Sequence, residues 1–421
     1  GDDDDDDDAA APAASQPAPL APPVPAAAGD LSFMVEAREF QGALNLIRRV
    51  ALPNDKTLRL VQIECRGHVF FRVGSPDSFF ELRFTTTRCI SPGDATVDSK
   101  QLAMSTKHLT AGALQVQKQP REATLQVGSG GRQVSVPTAA YVPIPLDAGL
   151  SGDAQIPLDV FMSLLDRTLF AVSTDAGRPK LHQLSFQAEG ERLTAFASDG
   201  HMLAMASVST PAAAALGGQS IAYPALVRLH KLLQEYEKTG GRRGRKDTAA
   251  PPLRIQTSTG HPGHLAVATD LFTYVAARAP VKPVRFEEAI ESASNIATVC
   301  VVNAAELIGA IKPLASAKES AEIKVDSPLS IASDTFSFTL RDLFIDGPPL
   351  VVHVDATFMR KALAGLPSGV YVALAFTAPG GPLLVMPWPD PALPRTRRDA
   401  RGPVLAALES RNITLVMPMR S

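Results

Sequence analysis

Two histidine-containing segments carry the side chains that could do chemistry in this sequence. Residues 197–204 read Ala-Ser-Asp-Gly-His-Met-Leu-Ala, and His201 could act there as a general base. No serine or cysteine nucleophile motif accompanies it, so we do not expect catalysis there. Taken alone, the segment fits a strand-to-turn junction in which Asp and Gly supply the turn geometry. Residues 261–264, His-Pro-Gly-His, could hint at a metal site, but a Pro-Gly turn between two strands explains them better because no third ligand is evident.

The remaining reactive residues do not form a recognisable site. Residues 128–131, Gly-Ser-Gly-Gly, lack the Lys-Ser/Thr of a phosphate-binding loop and the helix that must follow it, which predicts a hairpin turn. Cys65, Cys89 and Cys300 are odd in number and far apart, and they indicate reduced thiols in a cytosolic protein rather than a disulfide framework. We therefore expect no catalytic residue, no metal and no cofactor.

Charge is unevenly distributed along the 421 residues. The net charge is −2, with 41 Lys and Arg against 43 Asp and Glu, but residues 1–30 hold eight Asp and no Lys or Arg. The rest of the chain is mildly basic, which is compatible with a polyanionic partner without requiring one. Residues 1–30, an Asp run followed by Ala/Pro-rich sequence, are expected to be a disordered, solvated tail, although the Asp run could imitate nucleic acid on a basic surface.

Two patterns bear on the compartment. The sequence contains no run of about 18 apolar residues, which excludes a membrane-spanning helix. No secretory signal is visible in the sequence. Because the first residue is Gly, a signal already removed from the start stays an alternative. We therefore expect a cytoplasmic protein.

From Leu31 onward the pattern predicts three copies of one unit. Each copy opens with a short strand and a helix whose apolar residues recur at i, i+3, i+4 and i+7. Alternating β segments, a second helix and more strands follow in each copy, and the copies run roughly 120 to 145 residues, too long for a solenoid repeat. The predicted fold class is α+β, with three similar domains at 31–148, 151–292 and 297–421 after the tail at 1–30.

Two insertions interrupt this repeat. Residues 238–246, Lys-Thr-Gly-Gly-Arg-Arg-Gly-Arg-Lys, follow the second helix of the second copy. A Pro/Arg-rich stretch from Trp388 to about Pro403 lies in the last hairpin of the third copy. Both lack periodicity, so we expect mobile loops.

Two short stretches resemble the bacterial sliding clamp, the β subunit of DNA polymerase III. The first comprises Arg-Pro-Lys-Leu at 178–181 and the segment at 197–204, where that family carries A-T-D-G-H-R-L-A. The second is Leu-Val-Met-Pro-Met-Arg-Ser at 415–421, where the family ends in V-M-P-M-R-L. The resemblance covers residues 151–421 well, whereas the first domain fits only in length and pattern. Met202 stands where the family usually has Arg, and Ser421 stands where it usually has Leu. Met202 makes the pocket more apolar and removes one positive charge.

The resemblance implies clamp-type domains, each with two helices packed on antiparallel sheets, in a head-to-tail dimeric ring. It also implies a groove that binds short peptides of DNA polymerase III and other DNA enzymes, and flexible methionines suit such a surface. The groove would use Leu181, Ser198, Gly200, His201, Met202, Leu203, Pro280, Val284, Pro382, Val416, Met417, Pro418, Met419 and Arg420.

The resemblance further implies that helices face a central hole and contact DNA phosphates without reading sequence. The candidate DNA-facing residues are Arg38, Arg48, Arg49, Lys100, Lys107, Arg167, Arg228, Lys231, Lys312, Arg360 and Lys361. Val134, Leu314 and Ala315 would lie at the dimer contact.

The function implied is that of a non-catalytic, nucleoid-associated processivity factor in DNA replication. It would encircle duplex DNA as a homodimer, tether the polymerase, and depend on an ATP-driven clamp loader. One alternative is a clamp-like paralogue that binds partners outside core replication. A hydrolase using His201 is the remaining alternative, and it lacks a nucleophile.

Overall fold

The computed structural model describes residues 30–50, 59–75, 77–84, 87–140, 149–239, 252–258, 263–366, 369–377 and 380–419. Three sequence expectations fall outside these ranges: the acidic tail up to residue 29, most of the basic insertion at 238–246, and the last two residues, Arg420 and Ser421.

A similar order of strands and helices recurs three times along the chain, with small differences between the copies. The first repeat contains β1 (Leu31–Glu36), α1 (Ala37–Val50), β2 (Leu60–Arg66), β3 (His68–Ser75), β4 (Ser78–Arg83), β5 (Arg88–Ser91), β6 (Gly93–Asp98), α2 (Ser99–Thr106), β7 (Ala113–Lys118), β8 (Thr124–Ser129) and β9 (Arg132–Pro137). The second contains β10 (Ser151–Ile156), α3 (Leu158–Asp166), β11 (Gln183–Glu189), β12 (Arg192–Ser198), β13 (Met202–Ser209), α4 (Ala213–Leu216), β14 (Ser220–Ala222), α5 (Tyr223–Thr239), β15 (Leu253–Thr257), β16 (His264–Ala268) and β17 (Phe272–Ala277).

A short helix, α6 (Glu287–Ala293), leads into the third repeat. This repeat contains β18 (Thr298–Asn303), α7 (Ala304–Ala317), β19 (Ser320–Val325), β20 (Leu329–Ala332), β21 (Ser337–Leu340), β22 (Leu343–Asp346), β23 (Leu350–Asp355), α8 (Ala356–Ala364), β24 (Tyr371–Phe376), β25 (Leu383–Pro387), α9 (Arg397–Glu409) and β26 (Thr414–Val416). The chain is therefore α+β with antiparallel sheets, as the sequence predicts.

Three helices begin with a side-chain cap, and two of them, α2 and α8, occupy equivalent places in the first and third repeats. Asp98, Asn303 and Asp355 each end a strand, and each side chain accepts hydrogen bonds from backbone amides in the first turn of the helix that follows. Such caps satisfy donors that a helix cannot pair internally. The capped helices pack apolar faces on the sheets, as in α7, where Leu307, Ile311 and neighbouring apolar side chains are buried.

Two of the four sheets run across the boundary between repeats. The eight-stranded sheet has the order β10-β15-β16-β17-β4-β3-β2-β6, and the nine-stranded sheet has the order β14-β11-β12-β13-β26-β25-β24-β18-β22. At each boundary, the fourth strand of one repeat pairs antiparallel with the last strand of the next: β4 with β17, and β13 with β26. Backbone hydrogen bonds thus join consecutive repeats.

The other two sheets lie at the two ends of this series. They have the orders β5-β1-β7-β8-β9 and β21-β20-β19-β23. The last strand of the first repeat, β9, and the fourth strand of the third repeat, β21, are therefore sheet edges among the described residues. These are the strand positions that form the boundary pairs elsewhere.

The insertion after Trp388 is not a loop, which corrects the expectation from the sequence. It contains α9, which begins with a capping box: Thr396 Oγ1 accepts from the Asp399 amide at 3.2 Å, and the Asp399 carboxylate accepts from the Thr396 amide at 3.1 Å. Its buried residues are Ala400, Val404 and Leu408. The expectation failed because only one narrow stripe of this helix is apolar, between arginines and Gly402-Pro403.

The expectation of three reduced thiols is also wrong. Cys65 in β2 and Cys89 in β5 form a disulfide with their Cα atoms 6.0 Å apart, and it links the two sheets of the first repeat. Cys300 is free and fully buried. Burial raises the pKa of the Cys300 thiol to about 12, so it is unreactive near neutral pH.

An ion pair ties the helix layer to the boundary between the first two repeats. Arg228 on α5 is buried, and its Nη2 lies 3.0 Å from both carboxylate oxygens of Asp77, which directly precedes β4. Nearby, Arg49 on α1 pairs with Glu235 on α5 at 2.8 Å. Arg228 is thus an inter-repeat contact, which corrects its assignment as a DNA-facing residue.

Removing the Asp77 carboxylate should destabilise the protein, because the Arg228 guanidinium would stay buried without its counter-charge. The Asp77 side chain is 46% exposed, so we expect Asp77→Ala to lower the free energy of unfolding by about 2 kcal/mol, less than a fully buried pair would cost. Asp153→Ala, at an exposed position of β10, is the control and should change the free energy of unfolding by less than about 0.5 kcal/mol. Urea titration measures the free energy of unfolding of both variants. Equal losses from the two variants would contradict this role for Asp77.

Candidate functional site

A cavity of about 200 Å³ lies at the boundary between the second and third repeats, beside the paired strands β13 and β26. Its walls come from β11 and the segment before it, from β12 and β13 with the turn between them, from residues 283–289, and from residues 415–417. The lining residues are Lys180, Leu181, Gln183, Ser185, Phe196, Ala197, Ser198, Gly200, Met202, Leu203, Pro283, Val284, Arg285, Phe286, Ala289, Leu415 and Met417.

The turn between β12 and β13 shapes one end of this cavity. Asp199 Oδ1 accepts from the amides of His201 and Met202 at 2.9 and 2.8 Å, and Ser198 Oγ donates to the Met202 carbonyl at 2.7 Å. Gly200 has a φ of +92°, a conformation that side chains disfavour, and a Cβ there would lie 3.6 Å from Leu181. The interpretation of 197–204 as a strand-to-turn junction is confirmed.

Strand pairing brings residues 415–419 to this turn. Met202 lies opposite Val416 in the β13–β26 pair, and the Met417 amide donates to the His201 carbonyl at 2.8 Å. The Met419 amide donates to the His353 carbonyl at the same distance. The two methionines keep 44% and 46% of their surface exposed. The two stretches that resemble clamp motifs are therefore adjacent in space.

Seven of the predicted groove residues line the cavity: Leu181, Ser198, Gly200, Met202, Leu203, Val284 and Met417. The His201 ring instead stacks on Phe358, with ring centroids 4.9 Å apart. Val416 is buried in the main core, whereas Leu415 and Met417 line the cavity. The other predicted residues that the structure describes, Pro280, Pro382, Pro418 and Met419, are not among the lining residues.

Sequence reasoning missed the aromatic wall of the cavity. Phe196 and Phe286 lie with ring centroids 4.6 Å apart, and Leu415 belongs to the same buried cluster. Strand alternation could have identified Phe196 and Leu415. Phe196 lies on the same face of β12 as Ser198, and Leu415 lies on the same face as Met417. Nothing in the sequence around Phe286 indicates that it meets the sheet.

The charged residues of the cavity wall have one sign. Lys180 and Arg285 are both exposed, and no acidic side chain is among the lining residues. An apolar floor with a basic rim suits a peptide that combines large apolar side chains with an acidic one. Across the described ranges, no cluster of three or more His, Cys, Asp or Glu residues could hold a metal ion.

The Gly-rich segment at 128–131 and His264 lie outside the cavity. Gly130 and Gly131 have φ values of +55° and +82° between β8 and β9, which confirms the hairpin turn. His264 opens β16, while His261 lies outside the described residues. No helix in the described part of the chain is long and apolar enough to cross a lipid bilayer.

Most of the candidate DNA-facing residues are accessible. Arg167 and Lys361 are partly buried and Arg228 is buried, whereas the exposed members are Arg38, Arg48, Arg49, Lys100, Lys107, Lys231, Lys312 and Arg360. Of the candidate dimer residues, Val134 is partly buried on the edge strand β9. Leu314 and Ala315 are 0% and 5% exposed in the core of their own repeat, so their assignment to a dimer contact is corrected.

Comparison with known proteins identifies the class of fold. No family model matches the chain. The β sliding clamp of Caulobacter crescentus superposes with a TM-score of 0.75 at 17% identity, over 93% of this chain and 100% of that one. The DNA polymerase sliding clamp of Bacillus subtilis gives 0.74 at 16% identity, and the DNA polymerase III β subunit of Thermotoga maritima gives 0.73 at 14%, each with the same coverage. The chain has the bacterial sliding-clamp fold, which confirms the fold that the resemblance implied.

Proposed function

We propose that this chain is a DNA sliding clamp, in which two copies close head to tail around duplex DNA and tether the replicative polymerase. The observation that carries the proposal is the pair of sheet edges β9 and β21. In the boundary pairs β4–β17 and β13–β26, a fourth strand meets a last strand. Among the described strands, the fourth strand β21 has no last strand to pair with, and the last strand β9 has no fourth strand. In the proposed dimer, β21 of each copy pairs with β9 of the other.

Two copies joined in this way would form a closed series of six repeats. Exposed edges invite pairing with other chains, and closure removes them. Half-buried apolar side chains accompany both edges, Val134 on β9 and Phe338 on β21, and Ile308 on α7 is 43% exposed. These residues replace Leu314 and Ala315 as the proposed dimer contacts.

The basic helix residues support a DNA-facing inner surface. Arg38, Arg48, Lys100, Lys312 and Arg360 are exposed on helices that recur at equivalent places in the repeats. Contacts to phosphates carry no sequence information, so such a surface would let the ring slide. The clamp would act by topology and catalyse no reaction, and tethering would raise the effective concentration of its partner enzyme at the DNA.

The cavity between the second and third repeats is the proposed partner site. Met417, Leu181 and Leu203 supply apolar contacts, and the basic rim at Lys180 and Arg285 favours peptides that carry an acidic residue. DNA polymerase III, a clamp loader and other DNA enzymes would dock short segments there. The alternative is a clamp-like paralogue outside core replication, which the presence of Met202 and of α9 favours; a processivity assay with loader and polymerase distinguishes the two.

Retention on DNA should depend on topology more than on charge. A clamp placed on nicked circular DNA by a loader should stay bound in moderate salt and dissociate once the circle is cut, because a ring leaves only over a free end. Retention is measured by gel filtration of the labelled clamp with DNA before and after cutting. A purely electrostatic binder would be lost from circular and linear DNA alike as salt rises, and that result would overturn the proposal.

A charge placed in the cavity wall should weaken peptide binding. Met417→Asp should reduce affinity for an acidic peptide with two or three large apolar residues at least tenfold, because a carboxylate would be desolvated beside apolar side chains. Leu405→Asp is the matched control, since Leu405 on α9 is 45% exposed and does not line the cavity. Fluorescence anisotropy measures both affinities, expected to be micromolar for the wild type. Unchanged binding by Met417→Asp would rule out the cavity as the peptide site.

A further inference from the structure

Phe286 forms a partition between two cavities at the boundary of the second and third repeats. It is 3% exposed, directly precedes α6, and packs against Phe196. A second cavity of about 500 Å³ shares Phe196 and residues 283–286 with the first, and continues along Ala188 and Gly217. The two aromatic rings and the segment before α6 therefore line both cavities and form the wall that the candidate peptide cavity shares with the larger one.

Arg411, in the turn after α9, contacts this partition. Its guanidinium carbon lies 5.2 Å from the centroid of the Phe286 ring, within the range of a cation–π contact. Its Nη2 lies 2.7 Å from the Glu189 carboxylate, which also binds Arg192. The hydrogen bond from Arg192, together with the charge of Arg411, lowers the pKa of the Glu189 carboxyl, so the group stays ionised at neutral pH.

The segment that contains α9, residues 388–413, fixes the position of Arg411. Within α9, Arg401 donates to Asp346 at 2.6 Å and to the carbonyls of Ile296 and Ala297 at 2.9 and 2.8 Å. At its end, Arg411 takes a φ of +56° and its amide donates to the Leu408 carbonyl at 3.1 Å. The buried face of α9 belongs to the same apolar cluster as Phe196 and Phe286. The insertion and the cavity wall are thus one packed assembly.

We propose that Arg411 is a positioning residue for peptide selectivity, because it holds Phe286 against Phe196 and keeps the two cavities apart. The inference rests on the proposed peptide-binding function of the smaller cavity. With the partition in place, that cavity accepts an aliphatic anchor of the size of leucine in preference to the larger tryptophan. With the partition open, the two cavities merge and the wider space accepts tryptophan. Residue 411 touches no peptide and acts only through Phe286.

The test compares two labelled acidic peptides that differ only in a leucine or a tryptophan at the anchoring position. With the full chain, anisotropy should show about a tenfold preference for leucine, the scale expected when one side chain misfits a pocket. Phe286→Ala and Arg411→Ala should both reduce this preference to about twofold or less, mainly through tighter binding of the tryptophan peptide. Arg411→Lys keeps a cation over the ring and should restore the preference. Arg398→Ala, on the exposed side of α9, is the matched control and should leave it unchanged.

The outcomes separate the inference from the function on which it rests. A wild-type chain that binds neither peptide overturns the peptide site and the inference together. A wild-type chain that prefers leucine, with variants that keep this preference, leaves the site standing and overturns the role of Arg411. Should Arg411→Ala fail to fold, Glu189→Gln removes the charge that orients the guanidinium, and an unchanged preference in that variant overturns the proposal equally.

Discussion

Backbone hydrogen bonding between strands of different repeats is the interaction on which the rest of this structure depends. The pairs β4–β17 and β13–β26 turn three small units into sheets of eight and nine strands. An unpaired edge strand leaves amides and carbonyls without protein partners, and the two boundary pairs supply those partners to β4, β17, β13 and β26. The same pairing also forms the candidate site. The register that places Met202 opposite Val416 brings Met417 next to the turn at His201.

Much of the fold could be predicted from the sequence because the signals are local. The sequence shows an amphipathic helix after a short strand in 31–50 and again in 298–317. The residue types at 198–201 are typical of a turn and predict the one that is observed. Six of the seven predicted groove residues that line the cavity lie in the two recognised motifs, and Val284 is the exception. Strand alternation refines them, since it separates Val416, which faces the main core, from Met417, which faces the cavity.

The remaining features depend on contacts between distant segments, which a single sequence does not encode locally. Arg228 looks like an exposed helix charge until Asp77 of another repeat is brought beside it. The Cys65–Cys89 disulfide requires two sheets to be packed against each other. Phe286 meets Phe196 only because of the path of the chain before α6. The narrow apolar stripe of α9 is explained by the buried cluster on which it packs.

The central claim is that β21 of one copy pairs with β9 of another, and solution mass tests it most directly. In sedimentation velocity at micromolar concentration, the wild type should have twice the chain mass of 44.5 kDa. Thr339→Pro, which removes an amide from the exposed edge of β21, should give the single-chain mass, whereas Thr339→Val, which keeps the amide, should stay dimeric. A wild-type chain that sediments as a monomer, or a proline variant that remains a dimer, would contradict the account.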